Sequence, residues 1–224
     1  MITGNGNIAK AIINSDLLDQ DLCIIAAGVS NSTERNNKEF DREERMILHT
    51  LKDNHHLKVV YFDTFYNQKE SPYVHHKHNM KRLIREHTDD FLFISIPILC
   101  GATNNKTQLI PYLTNSLLNN KPVTINFKAT RNIVPVSSII ECIRIAVDSN
   151  FKNVAILSKQ SYSMREITKE LEIMHQKKFT IKTSRNKYFV NDPPDLEQYE
   201  YIYWCNNDLH NTLKYNQSVS LYNI

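Results

Sequence analysis

Two side chains spaced like a proton-transfer pair lie in the first half of the sequence. Tyr73 and Lys77 fit a Y-x-x-x-K pattern, and residues four apart on a helix share one face. An ammonium beside a phenol favours the phenolate, which predicts a pKa for Tyr73 below the usual value of about 10. Such a tyrosine can pass a proton to or from a hydroxyl or a ketone near neutral pH. The hydroxyl of Thr64, shortly before the pair, could polarise the same oxygen.

The alternative is that Tyr73 and Lys77 are chance neighbours on a surface helix, and the pair alone would favour that interpretation. Its position after a predicted strand at Leu57–Phe62 and after Thr64 favours the catalytic one.

A glycine pattern opens the chain. Residues Gly4–Ala9 fit G-x-G-x-x-A, in which the first Gly permits a tight turn, the second admits a pyrophosphate, and the small third residue allows close packing. The start of the following helix would offer N–H donors to phosphates. An ordinary glycine-rich turn is the alternative. Asp21 has the spacing of a ribose anchor but precedes the next strand, so the usual anchor is expected to be absent.

Strands and helices that alternate along the chain must position these residues. Continuous apolar runs predict buried strands of a parallel sheet, and apolar residues at helical spacing predict the helices between them. The predicted strands lie at 1–3, 22–27, 57–62, 91–96, 123–127, 154–157 and 179–182. The predicted helices lie at 7–16, 38–53, 71–86, 108–119, 136–148 and 163–175. This alternation predicts an α/β fold.

Composition excludes several classes of function. A formal net charge of +3, without a basic stripe, argues against a nucleic-acid partner. No apolar run is long enough to cross a bilayer, and the start lacks a signal-peptide pattern, so we expect a cytoplasmic protein. The cysteines form no CxxC pair, which favours buried thiols at Cys23 and Cys142.

For two polar stretches of the sequence we predict no bound ligand. The histidines at 55–56 and at 75, 76 and 78 lack a suitably spaced carboxylate, so no metal site is predicted. The charged run Asp41–Arg45 predicts a solvated helix face.

The order of the motifs resembles that of the extended short-chain dehydrogenases/reductases, which include nucleotide-sugar epimerases, dehydratases and reductases. The resemblance covers roughly residues 1–175. It includes the G-x-G-x-x-A turn, a buried strand that ends in Ala26-Ala27-Gly28, a strand that ends in Thr64, the Y-x-x-x-K helix, and a strand that ends at Pro97 with Gly101 beyond it. The segments Ala27–Ser32 and Glu39–Glu44 resemble a short subgroup found with surface-polysaccharide genes.

This resemblance implies a cofactor, a substrate and a set of site residues. The cofactor would be NAD or NADP, and the substrate a nucleotide-activated sugar. Tyr73 would be the acid/base, with Thr64 and with Lys77, which would also bind the nicotinamide ribose. The implied cofactor contacts are Gly4, Gly6, Asn7, Ile8, Ala27, Gly28, Lys77 and Pro97, and the implied substrate contacts are Ser30, Asn31 and Arg131. Relatives often form homodimers through two helices, here 38–53 and 71–86.

One departure from the family shapes the expected fold. A single predicted helix separates the glycine turn from the strand at 22–27, where the family has two further strands. We therefore expect a Rossmann-like, doubly wound and mostly parallel sheet that lacks the second and third strands, with a small C-terminal α+β substrate-binding part. Residues 1–105 would form the nucleotide-binding core and 106–224 would continue the sheet and bind substrate. Two functions stay open: an NAD(P)-dependent oxidoreductase, epimerase or dehydratase for surface-polysaccharide sugars, or a module that binds a nucleotide or a partner without turnover.

Overall fold

The computed structural model describes residues 1–54, 56–64, 71–101, 108–183 and 200–204, together with Leu209 and Leu213. The strands are β1 (Ile2–Thr3), β2 (Leu22–Ile25), β3 (Lys58–Thr64), β4 (Phe91–Ile96), β5 (Ile98–Cys100), β6 (Val123–Ile125), β7 (Thr130–Pro135), β8 (Asn153–Ser158), β9 (Ser161–Ser163), β10 (Ile181–Thr183) and β11 (Glu200–Trp204). The α-helices are α1 (Asn7–Ile13), α2 (Asn37–Asn54), α3 (Pro72–His87), α4 (Leu109–Leu118), α5 (Val136–Asp148) and α6 (Met164–His175), and Asp16–Asp19 form a 3-10 turn.

Within the described residues, the largest sheet has six strands in the order β1-β2-β3-β4-β8-β11. The four pairings from β1 to β8 are parallel. Their inner strands are apolar on both faces, as a parallel sheet covered by helices requires. Among the described residues β1 lies at the sheet edge and pairs with the next strand in the chain, as expected for a sheet without two intervening strands. The α/β prediction is confirmed.

Helices α2 and α3 contribute to the core of this sheet. Ile47 and Leu51 of α2 and Met80 and Ile84 of α3 join a cluster of buried residues with strand residues that include Phe93. Pro72 is the first residue of α3, where its missing N–H costs nothing. Both helices follow the predicted spans closely, because their apolar residues recur at helical spacing.

Two smaller sheets have the orders β5-β7-β9 and β10-β6. In the first, β5 is parallel and β9 antiparallel to β7, and in the second the two strands are parallel. Pro97 ends β4 as expected, but extended structure resumes at Ile98, and β5, β7, β9 and β11 are not among the predicted strands. These strands are short and pair with segments that are distant in the sequence, so local hydrophobic periodicity does not predict them. Helix α6 begins with a capping box between Ser163 and Glu166.

The chain divides into two compact units. The first unit consists mainly of Met1–Ile96 and Ser138–Ile156, and the second mainly of Pro97–Ser137 and the stretch that begins at Leu157. The second has its own apolar core, which includes Ile110, Ile133 and Ile167. The domain boundary predicted after residue 105 lies outside the described residues, and that division stays a prediction.

No helix in the described part of the chain is both long and apolar enough to span a membrane. Cys23 and Cys142 are buried free thiols, as expected. The homodimer stays a prediction.

Candidate functional site

The glycine turn packs closely against the end of β2. Gly4 has a φ of +139°, and a Cβ atom there would lie 2.4 Å from the carbonyl oxygen of Ala26. Both observations exclude a side chain at this position, because L-residues rarely adopt such a φ and the neighbouring atom is backbone. The first glycine of the pattern is therefore required by the close contact between the turn and the residues that precede Ala27.

Gly6 faces open space. A Cβ atom on Gly6 would meet no atom within 4 Å. Helix α1 begins at the next residue, and the N–H of Lys10 donates to the Gly6 carbonyl at 2.9 Å. Asn7 and Ile8 are half-buried in the first turn of α1. The exposed backbone of this turn therefore has space beside it for a ligand. A side chain at residue 6 would fill part of that space.

Thr64, Tyr73 and Lys77 lie together in the first unit. The hydroxyls of Thr64 and Tyr73 are hydrogen-bonded. The Lys77 Nζ atom lies 5.8 Å from the centroid of the Tyr73 ring, which is cation–π range. Tyr73 is 5% exposed and packs with Val29 and Val74. The Y-x-x-x-K spacing thus brings the phenol and the ammonium to one buried helix face, as predicted.

The predicted direction of the Tyr73 pKa is wrong. Burial raises the pKa of Tyr73 well above its usual value, the Thr64 hydrogen bond lowers it in part, and the negative charges of Asp63 and Glu43 raise it further. The expectation considered the ammonium of Lys77 alone. In the structure a carboxylate is bonded to that ammonium, and the phenol is removed from water, so the neutral phenol is favoured.

That carboxylate belongs to Glu43, which is fully buried. Its Oε1 atom accepts hydrogen bonds from the Lys77 ammonium at 2.8 Å and the Tyr61 hydroxyl at 2.9 Å. Its Oε2 atom accepts from the Val29 backbone N–H at 2.7 Å and lies 3.0 Å from His76 Nε2. We call Glu43, Tyr61, His76 and Lys77 the carboxylate cluster.

Hydrogen bonding outweighs burial in setting the charge of Glu43. Burial alone would raise its pKa, but the bonds from His76, Lys77 and the Val29 N–H, together with the charge of Lys77, lower it to about 2. A carboxylate with several donors keeps its charge even without water. Phe40 stacks on the His76 ring, with centroids 4.6 Å apart.

Gly28 allows the cluster to reach the loop after β2. A Cβ atom on Gly28 would lie 2.3 Å from Glu43 Oε1, and its φ is +130°. Gly28 therefore makes room for the carboxylate, while the next residue donates its N–H to it. The glycine turn contacts Ala26, the following loop contacts Glu43, and Glu43 binds Lys77 beside Tyr73, so one continuous set of contacts joins the two motifs.

The prediction that Glu43 lies on a solvated helix face is wrong, because Glu43 is buried. Asp41, Glu44 and Arg45 are exposed as expected, but Glu43 is not. A signal was present, because Glu43 lies four residues before the buried Ile47 and so on the apolar face of α2. His76 was missed in the same way, since it lies four residues before Met80 on α3.

The remaining candidate residues are Ser30, Asn31, Pro97 and Arg131. Ser30 and Asn31 are exposed, and the Asn31 side chain accepts hydrogen bonds from the Thr33 N–H and hydroxyl. Pro97 and Arg131 belong to the second unit, where Pro97 is buried and half-buried Arg131 donates to the Thr130 carbonyl at 2.7 Å. The structure leaves their contacts with cofactor or substrate as predictions.

No metal-binding arrangement occurs within the described residues, since none of their His, Cys, Asp and Glu side chains form a group of three suited to a metal ion. His75 and His78 are exposed on α3.

Several solved protein structures are similar to the structure of this chain. No protein-family model matches the sequence, and no curated protein matches it. An NAD-dependent NDP-hexosamine 5,6-dehydratase of tunicamycin biosynthesis, TunA, is 17% identical with a TM-score of 0.71, over 93% of this chain and 79% of that one. UDP-glucuronic acid 4-epimerase from Bacillus cereus, solved with UDP-glucuronic acid and NAD, is 17% identical with a TM-score of 0.67, over 94% and 80% of the two chains.

A third solved structure extends the same likeness. UDP-N-acetylglucosamine 4-epimerase from Methanobrevibacter ruminantium M1, in complex with UDP-N-acetylmuramic acid, is 13% identical with a TM-score of 0.70, over 96% of this chain and 82% of that one. At these identities the likeness concerns the fold. The chain therefore has the Rossmann-type fold of these nucleotide-sugar epimerases and dehydratases.

Proposed function

We propose that this protein binds NAD or NADP and catalyses a redox step on a nucleotide-activated sugar: reduction, epimerisation or dehydration. The observation that carries this proposal is the continuous set of contacts from the glycine turn, through Gly28 and Glu43, to Lys77 and Tyr73. The structurally similar proteins include NAD-dependent enzymes of this class. The resemblance of Ala27–Ser32 and Glu39–Glu44 to a subgroup found with surface-polysaccharide genes suggests that the product serves polysaccharide synthesis.

The residues present fit a dinucleotide in two places. The open space at Gly6 would receive the pyrophosphate next to the first turn of α1. Lys77 donates two of its three N–H groups to Glu43 and Tyr61 among the described residues, and the remaining one would donate to a ribose hydroxyl of the nicotinamide half.

When bound, the nicotinamide would supply or take up the hydride. Tyr73 would hold or move the proton on the sugar oxygen, and the Thr64 hydroxyl, already bonded to Tyr73, would orient it. Because burial keeps Tyr73 in its neutral form, the phenol would first act as a proton donor. A neutral phenol is the form that can protonate the oxygen of a sugar ketone as the hydride is delivered.

The second candidate is a module that binds a nucleotide or a partner without turnover. The raised pKa of Tyr73 and the bonding of Lys77 to a buried carboxylate favour this alternative, because both oppose formation of a phenolate. Calorimetric titration with NAD(H) and NADP(H), followed by assays with a panel of UDP-, dTDP- and GDP-sugars, separates the candidates. Cofactor binding without turnover of any sugar would support the module.

Tyr73→Phe tests the catalytic assignment. We expect kcat to fall by about 10²- to 10⁴-fold, the range for loss of a general acid or base, with the cofactor affinity and the unfolding midpoint nearly unchanged. Tyr112→Phe is the matched control, because Tyr112 lies exposed on α4, and its kcat should equal that of wild type. Full activity in Tyr73→Phe would remove Tyr73 from the mechanism.

A further inference from the structure

The first unit buries a charged side chain, Glu43, that the proposed mechanism does not use. Glu43 is 0% exposed and lies on α2, whereas the proposed catalytic side chains lie on β3 and α3. A carboxylate in such a place costs free energy unless each of its oxygen atoms is bonded. Here both are, and the partners include Lys77.

The geometry around Lys77 leaves its ammonium little freedom. Its Nζ atom lies 2.8 Å from Glu43 Oε1 and 3.0 Å from Tyr61 Oη, and Tyr61 in turn donates to the same Oε1 atom at 2.9 Å. The three groups form a closed triangle of hydrogen bonds. The Lys77 side chain is 6% exposed, so water does not compete strongly for the ammonium.

The other carboxylate oxygen holds the loop that follows β2. Glu43 Oε2 accepts from the Val29 N–H at 2.7 Å, and Gly28 passes so close that a side chain there would collide with the carboxylate. Val29 also packs against Tyr73. One side chain thus fixes the distance between a loop predicted to line the cofactor and the lysine predicted to bind its ribose.

We propose that Glu43 is a positioning residue: its carboxylate holds the Lys77 ammonium and the Gly28–Val29 backbone in one geometry, and it acts on the reaction only through Lys77. The role in the reaction rests on the proposed function. The fixing of Lys77 by Glu43 does not, and it can be tested without cofactor.

The first experiment measures how accessible Lys77 is to an amine-reactive ester, by mass spectrometry of the modified peptides. Lys81 is the internal reference, because it lies one turn further along α3 and pairs with Asp63 at 2.5 Å. We expect Glu43→Gln to raise the modification of Lys77 relative to Lys81 several-fold, since the amine loses its charged partner. Glu44→Gln, an exposed neighbour on the same helix, should leave the ratio unchanged. An unchanged ratio in Glu43→Gln would overturn the proposal.

The second experiment is a double-mutant cycle on turnover. We expect Glu43→Gln to lower kcat by about 10²-fold, the scale of a small misplacement of a reacting group, with a much smaller change in the KM of the sugar substrate. In a Lys77→Ala background the same change should alter kcat less than about twofold, because residues that act as one unit are not additive. Equal losses in both backgrounds would show a merely structural role and overturn the proposal.

The outcomes distinguish failure of the proposed function from failure of the positioning role of Glu43. If the wild-type protein binds neither NAD(H) nor NADP(H), the proposed function fails, and the Lys77 to Lys81 ratio still decides whether Glu43 fixes Lys77. If Glu43→Gln does not fold, as judged by thermal unfolding, Glu43→Asp replaces it: the charge is kept but the carboxylate is withdrawn by one methylene, and the same rise in Lys77 modification is expected.

Discussion

Glu43 in the first unit and Asn132 in the second are both buried, and each makes several hydrogen bonds. Asn132, in β7, is neutral and bonds mainly to backbone: its amide donates to the Ser158 carbonyl and accepts from the Ser158 N–H, both at 2.8 Å. Glu43 is charged and bonds mainly to side chains, from a hydroxyl, an ammonium and an imidazole.

The difference separates a structural role from a functional one. Asn132 provides hydrogen-bond partners for the backbone N–H and carbonyl of Ser158, the last residue of β8. A neutral amide can be buried in this way at low cost in free energy. Glu43 needs a lysine and a histidine around it to be tolerated at all. A buried ion pair is weak evidence for stability, since apolar residues of similar volume often serve as well. The carboxylate cluster is therefore better explained by what it positions.

Removing the cation from the carboxylate cluster should have the largest effect on stability. Lys77→Ala leaves the Glu43 charge buried without its ammonium, and we expect the free energy of unfolding to fall by about 3–5 kcal/mol. Urea unfolding measures this, with Lys169→Ala on the exposed side of α6 as the control, expected within about 0.5 kcal/mol of wild type. A loss below about 1 kcal/mol would place the cluster with ordinary surface ion pairs.

Lowering the pH should remove the contribution of the Glu43 carboxylate to the free energy of unfolding, over a defined pH range. Its pKa falls from 4.5 to about 2 on folding, so the contribution is present above pH 4.5 and is lost as the pH falls towards 2. The shift corresponds to about 3 kcal/mol. Urea unfolding of wild type and Glu43→Gln should therefore give stabilities that converge by this amount between pH 5 and pH 2.

Glu44→Gln is the control for the acid series, and it should follow the wild-type curve throughout. A difference between wild type and Glu43→Gln that does not change with pH would contradict the low pKa of Glu43.

Replacing Asn132, the neutral residue of the two, should have the smallest effect on the free energy of unfolding. Asn132→Ala leaves the N–H and carbonyl of Ser158 without their side-chain partner, at a cost of about 1–3 kcal/mol. We expect urea unfolding to show this loss at every pH from 5 to 2, and the modification ratio of Lys77 to Lys81 to stay as in wild type. A change in that ratio would mean that Asn132 acts beyond its own strand ends.

Local pattern predicted much of the fold and part of the site. The apolar runs of β2, β3 and β4 and the periodicity of α2 and α3 are properties of single segments, so the sequence indicates them directly. The shared face of Tyr73 and Lys77 follows from helix geometry alone. The need for glycine at position 4 agrees with the motif, and the structure supplies the reason in the Ala26 carbonyl.

The carboxylate cluster could not be predicted in the same way. Periodicity places Glu43 on the apolar face of α2, but charge alone suggests that it is solvated, and only the approach of Lys77 and His76 from another helix resolves the conflict. The pKa of Tyr73 has the same difficulty, because its direction depends on burial and on a charge from a different segment. Non-local charges decide both cases, and spacing within one helix does not encode them.

The partners of Glu43 also bear on how the chain assembles. They come from positions 14, 18, 33 and 34 residues away, so no short stretch can satisfy the carboxylate by itself. An intermediate with α2 docked and α3 still detached would carry a dehydrated, unbalanced charge, which costs several kcal/mol. That penalty makes such an intermediate scarce and couples the docking of the two helices, so α2 and α3 should form and open as one cooperative folding unit.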